Sequence, residues 1–385
     1  MVKQAILIFA LIIGLSIAAH SEVMVSGLLD MIVKNSDDGD ITNITFKDYN
    51  NFHSIRTRIF LDSRVDDHVS LFTQILVDNQ SFSIYGAYVR FDNLAKNYLN
   101  INLGFIPTTV GSFAPRTYSD KNPLIGQPLM YIHHSNYVPG RPDSIRTVDQ
   151  LLATRPNRSR FGMPVIYDAC WNTGAEFYGS VGKFDYSLGL LSGAVGYTTM
   201  QQSKDIPQVT THFVYYANPS LSFGGSAFIG PYLFNGAFND ALPGVDYGAG
   251  DDDSDKYDEY LNVGVAGELH WSQGYLDLYS EIIHNYWEHP YLPNLAIDAG
   301  YIEAKYKFLP AWYFAARYDI WVPNSLTDST GQKQHWDYPV NRVEFGIGYH
   351  PYRFVTTKLV TQINRFDDAD FLDSELYSLQ VSIKF

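Results

Sequence analysis

From residue 22 onward the dominant feature of the chain is alternation. At its end Tyr377, Leu379, Val381, Ile383 and Phe385 fall on one face of an extended strand, and Ser378, Gln380, Ser382 and Lys384 fall on the other. Period two marks a strand whose two faces meet different surroundings. The pattern recurs where Ile55, Thr57, Ile59 and Leu61 alternate with Arg56, Arg58 and Asp62, and where Leu99, Ile101, Leu103 and Phe105 alternate with Asn100, Asn102 and Gly104. It recurs again over Leu261–Trp271, against Asn262, Gly264, Glu268 and His270, and over Val343–Tyr349, against Glu344, Gly346, Gly348 and His350. A soluble sandwich strand reads the same way in isolation, but it rarely puts an aromatic residue last. No segment after residue 21 is apolar over the roughly 20 residues a membrane-crossing helix needs. Lipid cannot satisfy a bare backbone amide, so strands that face a bilayer must close into a barrel. Each strand then needs roughly 10 residues, apolar outward and polar inward around a wet lumen.

Turn spacing gives the strand number. Tight turns fall at Asp66-Asp67, Asp92 to Asn97, Gly182-Lys183, Asn218-Pro219, Ser272 to Gly274, Leu309-Pro310 and His350-Pro351. Longer connections fall around residues 34–49, 78–81, 106–170, 194–207, 233–259, 287–297, 322–340 and 366–373. Seven turns and eight connections predict an all-β, transmembrane antiparallel barrel of about sixteen strands, with both chain ends on the side of the short turns. The final strand must then pair with the segment from about Glu22 to Lys34 to seal it. Arg56, Arg58, Arg90, Glu268, Lys305 and Lys358 lie opposite the apolar face, where a charge escapes the cost of lipid. Tyr275, Trp287, Trp312 and Trp321, near strand ends, are expected in interfacial aromatic girdles.

Residues 1–21 read as a signal peptide. Lys3 gives a positive start, Ala5 to Ala19 is apolar, and small residues offer cleavage after Ala18 or Ser21. The domain reading is therefore a signal at 1–21 and a barrel over 22–385. The net charge of −14 argues against nucleic acid as a partner, which would need clustered Lys and Arg. Cys170 is the sole cysteine, so it forms no internal disulfide; its default role is a small buried apolar residue.

The signal peptide together with the terminal Phe385 strand resembles bacterial outer-membrane proteins. That resemblance implies outer-membrane location among lipid and lipopolysaccharide, and recognition of Phe385 by the barrel assembly machinery. The longest connection, 106–170, follows the fifth barrel strand and is similar in position to the third external loop of general porins, which implies that it folds into the lumen and narrows it. "AYVRF" and "LNINLGFIP", between Tyr85 and Pro107, resemble the phosphate-selective porins over about one-twentieth of the chain. Porins of this size imply, by analogy, a homotrimer.

Two loops could carry function. Eight prolines stiffen 106–170, and a long ordered loop usually has a task. Its Arg116, Lys121, Arg141, Arg146, Arg155, Arg158 and Arg160, against Asp120, Asp143, Asp149 and Asp168, give +3 in an acidic chain. With Arg56, Arg58 and Arg90 these are the constriction candidates, and arginines lining a pore favour anions. The alternative is a solvated loop covering the barrel mouth. The 233–259 loop carries −7; Asp251, Asp253 and Asp255 have the opening spacing of an EF-hand, but Lys256 replaces the turn glycine and Asn262 the closing Glu, so it reads as a solvated acidic loop.

Catalytic and metal motifs are missing. His284, Glu288 and His289 approach a zinc-protease pattern with one residue too many, on a strand. His133 and His134 are adjacent, which suits loop polarity better than joint ligation. There is no GxSxG, P-loop or CxxCH, so no cofactor and no enzymatic activity are expected. The reading is a passive diffusion channel for small hydrophilic solutes with a mild anion preference. Two others stand beside it: an outer-membrane hydrolase whose residues come from separate strands, and a barrel sheathing a partner such as a multihaem electron-transfer protein. The early first strand leaves no room for the separate plug domain of a TonB-dependent transporter.

Overall fold

The computed structural model describes residues 22–36, 42, 54–78, 81–139, 145–155, 162–167, 171–197, 206–233 and 259–385. The signal segment, the Asp251–Asp255 stretch, Cys170, Arg141, Arg158 and Arg160 lie outside them. In chain order the strands are β1 (Glu22–Ser36), β2 (Ser54–Asp66), β3 (Val69–Asp78), β4 (Ser81–Phe91), a short β5 (Leu94–Asn97), β6 (Asn100–Pro107), β7 (Trp171–Val181), β8 (Phe184–Leu191), β9 (Gln208–Asn218) and β10 (Leu221–Pro231). They continue as β11 (Leu261–Gln273), β12 (Leu276–Trp287), β13 (Leu295–Leu309), β14 (Trp312–Pro323), a hairpin of β15 (Ser325–Thr327) and β16 (Lys333–His335), β17 (Val340–Tyr352), β18 (Val355–Phe366) and β19 (Ser374–Lys384). All but β5, β15 and β16 form one closed sheet, a sixteen-stranded antiparallel barrel as the turn count predicted.

The two faces of the wall differ as the alternation requires. Ile302, Phe345 and Leu359 point outward and are about half exposed, while the adjoining Glu303, Glu344 and Lys358 are fully buried inside. An outer surface of this kind is solvated by acyl chains, and the closed ladder leaves no edge amide in them. The aromatic expectation needs correction for two residues. Tyr275 is exposed at a turn, and Trp312 stacks on Tyr349 with ring centroids 4.2 Å apart, both as a girdle needs. Trp287 and Trp321 are instead fully buried. Each shares the parity of an inward charge on its own strand, Glu281 or Arg317, and each packs edge-on against buried Trp336, at 6.4 and 6.2 Å. Parity, not nearness to a strand end, decides which side an aromatic takes.

The seam pairs β1 with β19 antiparallel, Met31 opposite Val381 and Leu28 opposite Lys384. Gly27 and Phe385 extend it by exchanging backbone hydrogen bonds of 2.7 and 3.0 Å. The Phe385 ring occupies the space that a side chain at Gly27 would fill, so a larger residue there would displace the ring. Deleting Phe385 should lower the temperature at which the compact band on an unheated gel converts to the unfolded one, since two hydrogen bonds of about 0.5–1.5 kcal/mol each are lost. An unchanged conversion temperature would mean that the seam ends at Lys384.

Candidate functional site: the loop-filled lumen

The chain between β6 and β7 does not lie on the surface. Its described part carries a 3-10 turn at Ala114–Arg116, α1 (Leu129–Ile132) and α2 (Val148–Thr154). A complete capping box starts α2: Thr147 accepts from the Gln150 backbone, and the Gln150 side chain accepts from the Thr147 backbone N–H. Val110, Phe113, Leu129, Met130 and Tyr131 are solvent-free and share one apolar cluster with Ile283, Ala299, Trp321, Val340 and Phe366 of the inner wall. Leu124 and Ile125 pack into a second cluster with Ile32, Tyr313 and Val360. Burying five large side chains of this kind is worth about 1.5–3 kcal/mol each, which is why the loop enters the barrel.

Polar groups then fix its seat. The Ser112 backbone N–H donates to Glu281 Oε1 at 2.7 Å, and Tyr131 donates to Oε2 of the same carboxylate at 2.6 Å. Asp319 accepts from the Leu129 backbone at 3.1 Å, and Glu344 from the Gly126 backbone at 2.9 Å. Gly126 has to be glycine: a Cβ there would sit 2.8 Å from Glu344 Oε2 and overlap Gln362. Further round the same wall, on β1, Asp30 accepts from Ser119 of the loop and from Ser382 of β19. Lys358 reaches up into the loop and donates to the carbonyls of Ser119, Asn122 and Leu124 at 2.6, 2.7 and 3.1 Å. Arg342 donates to Gln127 O at 3.0 Å and to Thr42 O at 2.8 Å.

At the centre stands Arg317, whose side chain has no exposed surface. It pairs with Glu303 at 3.1 Å, with Asp319 at 3.2 Å and with Glu344. Ionised groups so deep in the protein survive only with full pairing. The three carboxylates that hold Arg317 also hold the loop, through Arg116, Leu129 and Gly126 respectively.

The predicted constriction residues fall into separate groups. Arg56 and Arg58 lie 3.4 and 3.7 Å from Asp30. Arg90 donates to Asn102 at 3.2 Å and sits over the Phe72 ring at 4.5 Å. Arg116 is paired with Glu303 and stacked over Tyr279 at 3.6 Å. Burial opposes its charge, but Glu303 more than offsets this and raises its pKa, so it stays a cation. Lys121 is exposed beside Tyr118, 5.6 Å from the ring centroid. Arg146 lies over Tyr291, and Arg155 donates to the Gln334 side chain and the His335 carbonyl of the β15–β16 hairpin. The charges of greatest consequence for the loop, Glu281, Glu303, Arg317, Asp319 and Arg342, were not among the candidates. Their signal was present: each occupies the inward parity of a strand whose outward face is apolar.

The zinc-like trio does not converge. His284 bonds Asp298 on the outer face at 2.7 Å, Glu288 accepts from the Leu261 backbone, and His289 is buried against Tyr137. Among the described residues no group of three metal-ligating side chains is gathered.

No family model matches the sequence, and no curated protein matches it. Solved structures do match its fold. The anion-selective porin from Comamonas acidovorans superimposes with a TM-score of 0.60 at 9% identity, over 95% of this chain and 100% of that one. OmpF of Salmonella typhi, in complex with daunomycin, gives 0.58 at 11% identity over 94% and 97%. OmpT in its trimer form, an outer membrane protein of Vibrio cholerae, gives 0.54 at 10% identity over 95% and 99%. The chain therefore has the architecture of the outer-membrane porins, a β-barrel that crosses the membrane many times.

Proposed function

We propose that this chain is a passive diffusion channel of the outer membrane for small hydrophilic solutes, with a mild preference for anions. The observation that carries the reading is a closed sixteen-strand wall that is apolar outside, charged inside and fitted with an internal loop. Along one side of the lumen Asp62, Arg90, Glu176 and His270 keep partial access to water, and solutes would pass along it. Cations and carboxylates are interleaved there, and the loop's Arg116 is spent on Glu303, so any anion bias rests on Arg56, Arg90, Lys121 and, in the loop, Arg141, Arg158 and Arg160. The likeness to an anion-selective porin agrees with that sign.

The alternatives fit less well. Two imidazoles are paired with carboxylates, His212 with Glu268 at 3.0 Å and His284 with Asp298. A hydroxyl does meet an imidazole where Thr356 Oγ1 lies 3.1 Å from His350 Nδ1, but among the described residues no single imidazole has both a hydroxyl and a carboxylate partner, and the reading is non-catalytic. A sheath for a second polypeptide needs an empty lumen, and the chain's own loop takes that space. A homotrimer is the proposed assembly, by analogy with the trimer form of OmpT from Vibrio cholerae. Phe385 is the proposed contact for the assembly machinery, and residues 1–21 the proposed export signal.

In a planar bilayer under a salt gradient, the protein should show conductance steps and a reversal potential displaced modestly toward the anion limit. A cation-selective reversal potential would remove the selectivity claim. Absence of steps in every condition, including those given below, would remove the channel.

A further inference from the structure

Resting on the channel reading, we infer that the 108–137 segment is a stopper that closes the lumen in its resting position, held by a latch of buried charges, and that conduction requires the latch to release. A water-filled passage must leave some of the wall exposed along its length. Fifteen of the sixteen barrel strands contribute an inward side chain at most 6% exposed, from Asp30 on β1 to Gln380 on β19. On the remaining strand, β4, Gly86 is buried with the Trp171 ring where its side chain would be. The inward residues that do keep partial access to water, Asp62, Arg90, Glu176 and His270, lie within five residues of the short-turn ends of their strands, toward that mouth of the barrel.

Apolar clusters keep the loop within the barrel, and charged and polar wall groups fix its position there. The polar contacts of the seat to the loop include the charged wall groups of Asp30, Glu281, Glu303, Asp319, Arg342, Glu344 and Lys358. Several are directed at backbone atoms, which any loop conformation also possesses. Lys358 is the clearest case. Its ammonium is satisfied by three loop carbonyls, and water entering with the loop's departure would satisfy it equally well. Wall charges that are buried while the loop is seated become pore-lining when it leaves. The closed state thus stores the polar lining that the open channel needs, and the balance between the two can be shifted by modest changes on either side.

Three proteins test this in planar bilayers, each first shown to be folded by heat-dependent gel mobility: the native chain, Lys358→Met, and a chain with residues 118–136 replaced by a short Gly-Ser linker. The native protein should spend most of its time closed. Lys358→Met should raise the open fraction roughly tenfold, the shift expected for losing a charge-assisted set of hydrogen bonds, and the shortened chain should conduct continuously. Equal, steady conductance in all three would overturn the stopper while leaving the channel intact. Silence in a folded, shortened chain would overturn the channel itself. If the shortened chain does not fold, a Lys358→Met open fraction equal to the native one overturns the latch.

Discussion

Replacing Arg317 by alanine should destabilise the barrel by about 3–5 kcal/mol, the cost of breaking a buried ion pair by removing one partner. The expectation follows from its surroundings. Glu303, Asp319 and Glu344 are fully buried, and Arg317 bonds all three. Without it Glu303 retains Arg116 and the other two retain single backbone donors, so carboxylates would have to take up protons or draw in water. Arg317→Lys should fall between, because an ammonium keeps the charge but cannot span three carboxylates as a planar fork does. Urea titration of the folded gel band in detergent or vesicles measures the difference. A loss below 1 kcal/mol for the alanine variant would mean that water already reaches the cluster.

The second large effect contrasts two adjacent positions. Ile302→Arg places a guanidinium outward, midway along β13, and should cost about 2–4 kcal/mol at the depth of the acyl chains. Its neighbour Glu303 carries charge on the same strand because it faces inward. The cost should shrink when the same substitution is made at Tyr275, which is exposed at a turn, where an arginine reaches headgroups and water. Folding yield into vesicles at graded urea compares both variants with the native chain. Equal losses at Ile302 and Tyr275 would contradict a bilayer bounded by those positions.

The barrel was legible because its physics is local. Lipid on one side and polar surroundings on the other write a two-residue period into every strand, and turn spacing then counts them; the β1–β19 seam followed from the count. The interior was legible only in part. Alternation says that Glu303 and Arg317 face inward, yet not that they face each other, since this depends on the register of Glu303 against Arg317 across the β13–β14 ladder. Trp287 and Trp321 were misassigned for a related reason. Interfacial and interior aromatics look alike until the packing partners are known, and those partners, Trp336 for both and the loop's His133 for Trp321, are set by the tertiary fold. The arginines of the loop gave a charge count without the carboxylates that meet it.

Asp30 binds on three sides at once: Arg56 and Arg58 on the neighbouring strand, Ser382 on the strand that closes the ring, and Ser119 of the loop. Asp30 and Ser382 are 352 residues apart, and contacts of such long range form late, after most of the entropy of chain ordering has been lost. Until β19 arrives, Asp30 lacks one of the ligands that orient it for the loop. Sealing the wall and seating the loop are therefore one event in the order of assembly. A barrel that has not finished closing lacks one of the wall contacts that receive the loop, so closure of the ring and completion of the loop's seat are linked through Asp30.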